Sequence, residues 1–431
     1  MHLFIRFAFR ITSLALKFAL TVVVARMLGF AAVADYGLAL AVSVVSSKLL
    51  GLGFSTEMNR RLSDVNPGGA IQAARRLLLL YCFVYAVIAV VVLIVHNGAG
   101  FDGFRRIPPG VLWGVMLVAF SEHIGLETTS YVFSLHRPRL GALLLFIRTG
   151  AWAGVAIPGL LTGMIVSIET IFTLWWGTNL IAALAACWCI WRRGREIRLE
   201  QPVSRKVGGV RSVWVAGFPF FVAATVLSGL QYGERFLASS AISADSLGRY
   251  VFAWSIANAI QTIAYATIVV TAGPRLVRSL SGTGRDFWAT LRISMHSALG
   301  ITIIAAAAIL IAYKPIFHVA REPAGSRELT MLSILLVSFV LRSIADVYWS
   351  GAVALRLGKQ VAIAMAVVAA IGIPVEWLLV THLGAMGAAL AHLAASTGIV
   401  AILVFLVMRV RAATETAPEA AAVNREAIHV S

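Results

Sequence analysis

Twelve times along this 431-residue chain a stretch of about twenty residues passes with few or no charges, and most of these stretches end at a basic cluster or a Gly/Pro-rich break. A hydrocarbon layer about 30 Å thick is crossed by about twenty apolar residues wound as a helix, because in lipid a backbone must satisfy its own hydrogen bonds. The runs fall at 10–29, 37–56, 77–96, 110–130, 141–162, 168–191, 212–238, 248–274, 291–313, 328–350, 360–380 and 384–408. They predict an all-α polytopic membrane protein. Composition agrees: 60% of residues are hydrophobic and 13% charged, where a soluble domain carries about 25% charge. No intervening segment is longer than 192–211, which is polar, basic and too short for a globular domain. The final stretch, 411–431, is rich in Ala, Glu and Thr and reads as a disordered cytoplasmic tail.

A formal charge of +17 suggests a nucleic-acid partner until the bases are sorted by segment. With the N-terminus cytoplasmic, twenty-four of the 36 Lys and Arg fall in inside segments, counting Arg10 and Arg292 at the span ends that border them, five in outside segments and the other seven within spans. That asymmetry is the positive-inside rule, so the charge records membrane topology and no nucleic acid is expected. Lys17 interrupts what would otherwise resemble the apolar core of a signal peptide, and the first helix is expected to be retained. Three cysteines, Cys82, Cys187 and Cys189, all lie in apolar runs and make neither a disulfide framework nor a metal site. Without a Gly-x-x-x-x-Gly-Lys-Ser/Thr loop, no nucleotide or other cofactor is expected.

The chain echoes itself. Arg139-Leu140-Gly141 precedes a helix reaching Ile157-Pro158, and Arg356-Leu357-Gly358 precedes one reaching Ile373-Pro374. Six helices per repeat keep both copies in the same orientation, which predicts two pseudo-symmetric six-helix bundles, 1–205 and 206–410, with a central cleft. In transporters of this kind the substrate binds between the repeats.

A charge at the centre of a span costs roughly 2.5–3.5 kcal/mol on insertion scales. Arg26, Glu234, Arg235 and Arg249 lie near span ends, where long side chains reach back to water, and Arg342 with Asp346 has the i,i+4 spacing of an intrahelical pair. Lys17, Lys48, Glu122 and Arg148 sit deeper without an opposite charge three or four residues away. The candidate cavity residues are therefore Lys17, Lys48, Arg148 and, less directly, Arg342. For Lys17 and Arg148 the alternative is structural pairing with Glu122 or Glu127. Glu122, Asp346 and Glu376 are candidate coupling acids. Basic cavity walls favour an anionic substrate, because a desolvated guanidinium grips phosphate oxygens in bidentate fashion.

Three segments carry a family resemblance. Residues 17–54 (KFALTVVVARMLGFAAVADYGLALAVSVVSSKLLGLGF), residues 219–274 (PFFVAATVLSGLQYGERFLASSAIS through GRYVFAW to AGP) and residues 350–392 (with ALRLGKQ and HLGAMGAALAHL) resemble the polysaccharide-export branch of the multidrug/oligosaccharidyl-lipid/polysaccharide flippase superfamily. The resemblance implies a V-shaped pair of bundles that flips an undecaprenyl-pyrophosphate-linked oligosaccharide to the outer leaflet through a cationic cavity. It implies as partners the anionic lipid-linked glycan, membrane lipids, and the polymerase or glycosyltransferases of one pathway. Two glutamates in the fourth span, Glu122 and Glu127, depart from a purely cationic lumen. A multidrug exporter of the same architecture is the alternative. A membrane glycosyltransferase or polymerase is disfavoured by short outer loops and the absence of Asp-x-Asp, and no enzyme activity is expected.

Overall fold

A computed structural model describes residues 2–51, 53–63, 67–97, 108–200, 210–280 and 284–429. These form helices α1 (His2–Leu28), α2 (Phe30–Gly51), the short α3 (Phe54–Leu62), α4 (Gly68–Asn97), α5 (Pro109–Ser134), α6 (Pro138–Leu161), α7 (Ile168–Glu200), α8 (Val210–Ala241), α9 (Ala244–Ser279), α10 (Gly284–Val319), α11 (Ser326–Ala354) and α12 (Gly358–His429). No strand occurs among the described residues. Ten of the helices are long and apolar enough to cross a membrane. Of these α12 contains both of the last two expected spans, and the remaining expected span, 212–238, lies within the 32-residue helix α8.

The two arms of α12 meet at Gly384, whose φ of 59° and ψ of −132° belong to a region that essentially only glycine enters. There the chain doubles back so sharply that a Cβ on Gly387 would stand 1.9 Å from the carbonyl oxygen of Leu379. The sequence reading places separate spans at 360–380 and 384–408; the structure joins them through one residue. The second span begins earlier than expected, at Phe30 instead of 37, because Gly29, at φ 87°, turns the chain at once. The tail expected to be disordered from 411 continues α12 as helix to His429. Ala and Glu are strong helix formers, and extending an existing helix avoids the nucleation cost. The expected bundle boundary at 205/206 lies outside the described residues.

Helices α5 and α6 are joined by the same turn that joins α11 and α12. His136 (φ 58°) and Arg356 (φ 57°) are both left-handed, and each is followed by an amide that reaches back five residues, Arg137 to Val132 O at 3.3 Å and Leu357 to Ala352 O at 2.9 Å. The internal repeat is thus present in turn chemistry, but the two Arg-Leu-Gly triplets are three residues out of register with it.

Packing divides into three cores. One, with Phe54, Tyr81, Tyr131 and Leu144, draws only on α3–α7. A second, with Phe287, Met365 and Leu403, draws only on α8–α12. The third spans both, joining Tyr36, Trp152 and Trp175 to Tyr250, Trp254 and Phe339. At its tightest point Gly248 on α9 meets the start of α2, where a Cβ would lie 1.8 Å from the carbonyl oxygen of Phe30. The halves are therefore fastened at the end of the molecule that carries Gly29 and Ile242. Apolar side chains such as Phe83 and Ile94 on α4 and Ile304 and Ile311 on α10 stay exposed and form a lipid-facing surface.

Candidate functional site

Below that joint lies a cavity of about 440 Å³, walled by α1, α2, α9 and α10. Its size falls within the range of small-molecule sites. The walls are mostly apolar, including Ile11, Leu14, Phe18, Leu40, Ile263 and Ile309, with Tyr36 and Trp254 at the top. Polar groups come from Thr21, Ser255, Asn258 and Thr262, and the one charged side chain in the lining is Lys17.

Lys17 has no hydrogen-bond or ion-pair partner among the described residues. Its ammonium lies 6.0 Å from the ring centre of Trp152 and 5.8 Å from that of Trp175, two indoles stacked 4.7 Å apart and inclined by 8°. Ring faces attract a cation without neutralising it. Behind the indoles, Arg148 is ion-paired with Glu122, and Trp175 Nε1 donates to the other oxygen of that carboxylate at 2.7 Å. Arg148 reaches Glu122 from a single π-helical turn, Ile147–Ala151, in the middle of α6. Such a bulge inserts one residue and re-aims those around it.

The candidate residues therefore separate. Lys17 lines the cavity. Arg148 does not; it is buried against Glu122, the structural alternative weighed above. Cancelling those two charges leaves the cavity wall with the single positive charge of Lys17. Lys48 is exposed near the far end of α2, in a region that includes the buried His123 and Glu127, and lies outside the cavity lining. Glu127 accepts a hydrogen bond from Ser55. The expected intrahelical pair of Arg342 and Asp346 is not formed: Arg342 Nη2 donates to Gln231 Oε1 at 2.6 Å, and Gln261 Nε2 donates to Asp346 Oδ2 at 2.7 Å. Two glutamines from neighbouring helices outcompete the i,i+4 partner. Glu376 is buried against Gly233, and one of its oxygens has no partner.

Of the bases near span ends, Arg26 is exposed as its position predicts, but charge position alone misjudged Arg235. Arg235 is completely buried instead of reaching water. Its Nη1 donates to the carbonyl oxygen of Gly37 at 2.9 Å, and its guanidinium carbon lies 3.9 Å from the ring centre of Trp254. Glu234 beside it accepts from Tyr250 at 2.9 Å. Arg249 pairs with Glu322 at 2.6 Å and lies over the ring of Phe30. Glu322 sits in the turn after α10, where burial pushes its carboxyl above the ordinary range against the pull of Arg249. Trp152, Trp175, Gln231 and Gln261 carry no charge, so the placement of charges in the sequence does not point to them. Indoles placed mid-span, away from the interfacial belt where tryptophan is usual, were the available signal. Among the described residues no three His, Cys, Asp or Glu side chains gather as a metal site needs.

No family model and no curated protein matches the chain. Solved structures do. The chain is similar to a multidrug-resistance MATE-family transporter of the MOP superfamily in its inward-facing conformation, with a TM-score of 0.71 at 14% identity over 96% of this chain and 99% of that one. It is similar to the lipid II flippase MurJ in an inward closed conformation, with a TM-score of 0.68 at 14% identity over 94% of this chain and 87% of that one. An outward-facing MATE-family structure gives 0.66 at 12% identity over 96% of both chains. At these identities the likeness establishes the fold: a multi-pass helical membrane protein built as the MATE transporters and MurJ are built.

Proposed function

We propose that this chain is an alternating-access flippase of the bacterial cytoplasmic membrane, with both termini cytoplasmic. Its cargo would be a polyprenyl-pyrophosphate-linked oligosaccharide, carried from the cytoplasmic to the outer leaflet for polysaccharide biosynthesis. The carrying observation is Lys17, unpaired and the one charged side chain lining the mostly apolar cavity between the halves. An amphiphile with a phosphate beside a long hydrocarbon matches that wall, since the ammonium meets the phosphate and the apolar lining tolerates the first isoprene units. The joint between α2 and α9 closes the end opposite the N-terminus, so the cavity is open toward the cytoplasm in this reading. The higher similarity to an inward-facing relative and the lipid-flipping activity in the name of MurJ support it.

A multidrug exporter remains the second reading, favoured by the aromatic pair Tyr36 and Trp254 at the cavity top and by the MATE-like fold. A lysine repels a cationic drug, which weighs against it. One experiment separates the two. Proteoliposomes holding the purified chain are loaded with a short-chain polyprenyl-pyrophosphate glycan, and its arrival in the opposite leaflet is timed. Flipping that falls at least tenfold in Lys17→Met is the expected result. Transport of lipophilic cations with no flipping would replace the proposal by the second reading.

A further inference from the structure

A second pocket, of about 240 Å³, lies on the outside of the molecule where α4 begins and the apolar span of α7 ends. It stands apart from the cavity between the halves and shares no residue with it. Its walls are Gly68, Ile71, Gln72, Arg75, Trp191 and Gly194, closed by Arg195.

Neither Arg75 nor Arg195 has an ion-pair or hydrogen-bond partner among the described residues. The nearby acid that would pair with them, Glu196, is occupied by Arg192 at 3.3 Å, Arg193 at 3.3 Å and Arg137 at 3.9 Å. Two guanidiniums thus face one hollow with their charge uncompensated. The hollow sits at the boundary of two membrane spans, flanked by Trp191, which is half exposed. Tryptophan at that depth marks the headgroup layer, and two arginines there present forked donors to a phosphodiester. We infer that this pocket binds the phosphate of an anionic glycerophospholipid, with the acyl chains running down the exposed apolar face of α4. The site is independent of the cargo assigned to the central cavity.

The test uses native mass spectrometry of the full chain released from detergent in the presence of phosphatidylglycerol, phosphatidylcholine or inorganic phosphate. The wild type should retain phosphatidylglycerol over phosphatidylcholine. Each guanidinium lost should cost about fivefold in retention. R75Q/R195Q should therefore abolish the preference, and R75K/R195K should keep most of it. R192Q, which removes a neighbouring arginine already held by Glu196, should change nothing. Equal loss in R192Q, or undiminished retention in R75Q/R195Q with its elution profile intact, overturns the site. Displacement of phosphatidylglycerol by millimolar inorganic phosphate overturns the lipid as its source.

Discussion

Arg235 of α8 donates to the carbonyl oxygen of Gly37 of α2 at 2.9 Å, while its guanidinium stacks on Trp254 of α9, so one buried side chain ties the two halves of the molecule together. Because the acceptor is a backbone carbonyl, the tie depends on the position of α2 and not on any one of its side chains. Arg235→Met keeps the length but removes the donor and leaves Glu234 buried without its neighbouring cation. With Cys82, Cys187 and Cys189 replaced, spin labels at Ala31 and Ala244 should report a wider distance distribution in this variant. An unchanged distribution would show that the joint holds without Arg235.

The Glu122–Arg148 pair is expected to behave as a unit. Removing one member strands the other in a buried site, at a cost of about 3–5 kcal/mol, whereas removing both with apolar residues of similar size is often close to neutral. Glu122→Gln and Arg148→Met should each lower the melting temperature in detergent, and the double variant should recover most of the loss. Strictly additive losses would mean the two side chains do not depend on each other.

Lys17 sets the sign of the cavity, so reversing it should reverse the preference. Lys17→Glu is expected to fold, since the side chain faces the cavity without a partner, to lose flipping of the anionic lipid, and to admit lipophilic cations that the wild type rejects. Uptake assays with a fluorescent cationic dye read this directly. Equal exclusion of the dye in both proteins counts against electrostatic selection.

Gly248→Ala places a methyl group where the carbonyl oxygen of Phe30 already stands. The backbone cannot yield as a side chain would, and overpacking of this kind costs about 1–3 kcal/mol. The halves should part at that end, seen as faster labelling of a cysteine placed at Ala34, which is buried in the joint. Labelling at the wild-type rate would show that α2 accommodates the methyl group.

The membrane class, the number of crossings and most span positions were legible because lipid imposes one rule, a length of apolar helix, on each crossing. The charges were harder. The same signal, no opposite charge three or four residues away, singles out both Lys17 and Arg148, and it cannot separate a residue in the cavity lining from one paired with Glu122, 26 positions away on another helix. Arg342 and Asp346 were misjudged for the opposite reason: an i,i+4 spacing permits a pair but cannot exclude the competing amides of Gln231 and Gln261. Arg235 was discounted by its distance from a span end. Depth along a helix says little when that helix end is covered by another half of the same molecule.

The reversal at Gly384 has a practical corollary for mapping this protein. A connection of one residue gives the last two crossings almost no segment in water, so a protease, a glycosylation tag or an enzyme reporter directed there has only the short stretch Thr381–Leu383 to meet. Topology scored by such reagents would register one long crossing where there are two, and would place the C-terminus on the wrong side of the membrane.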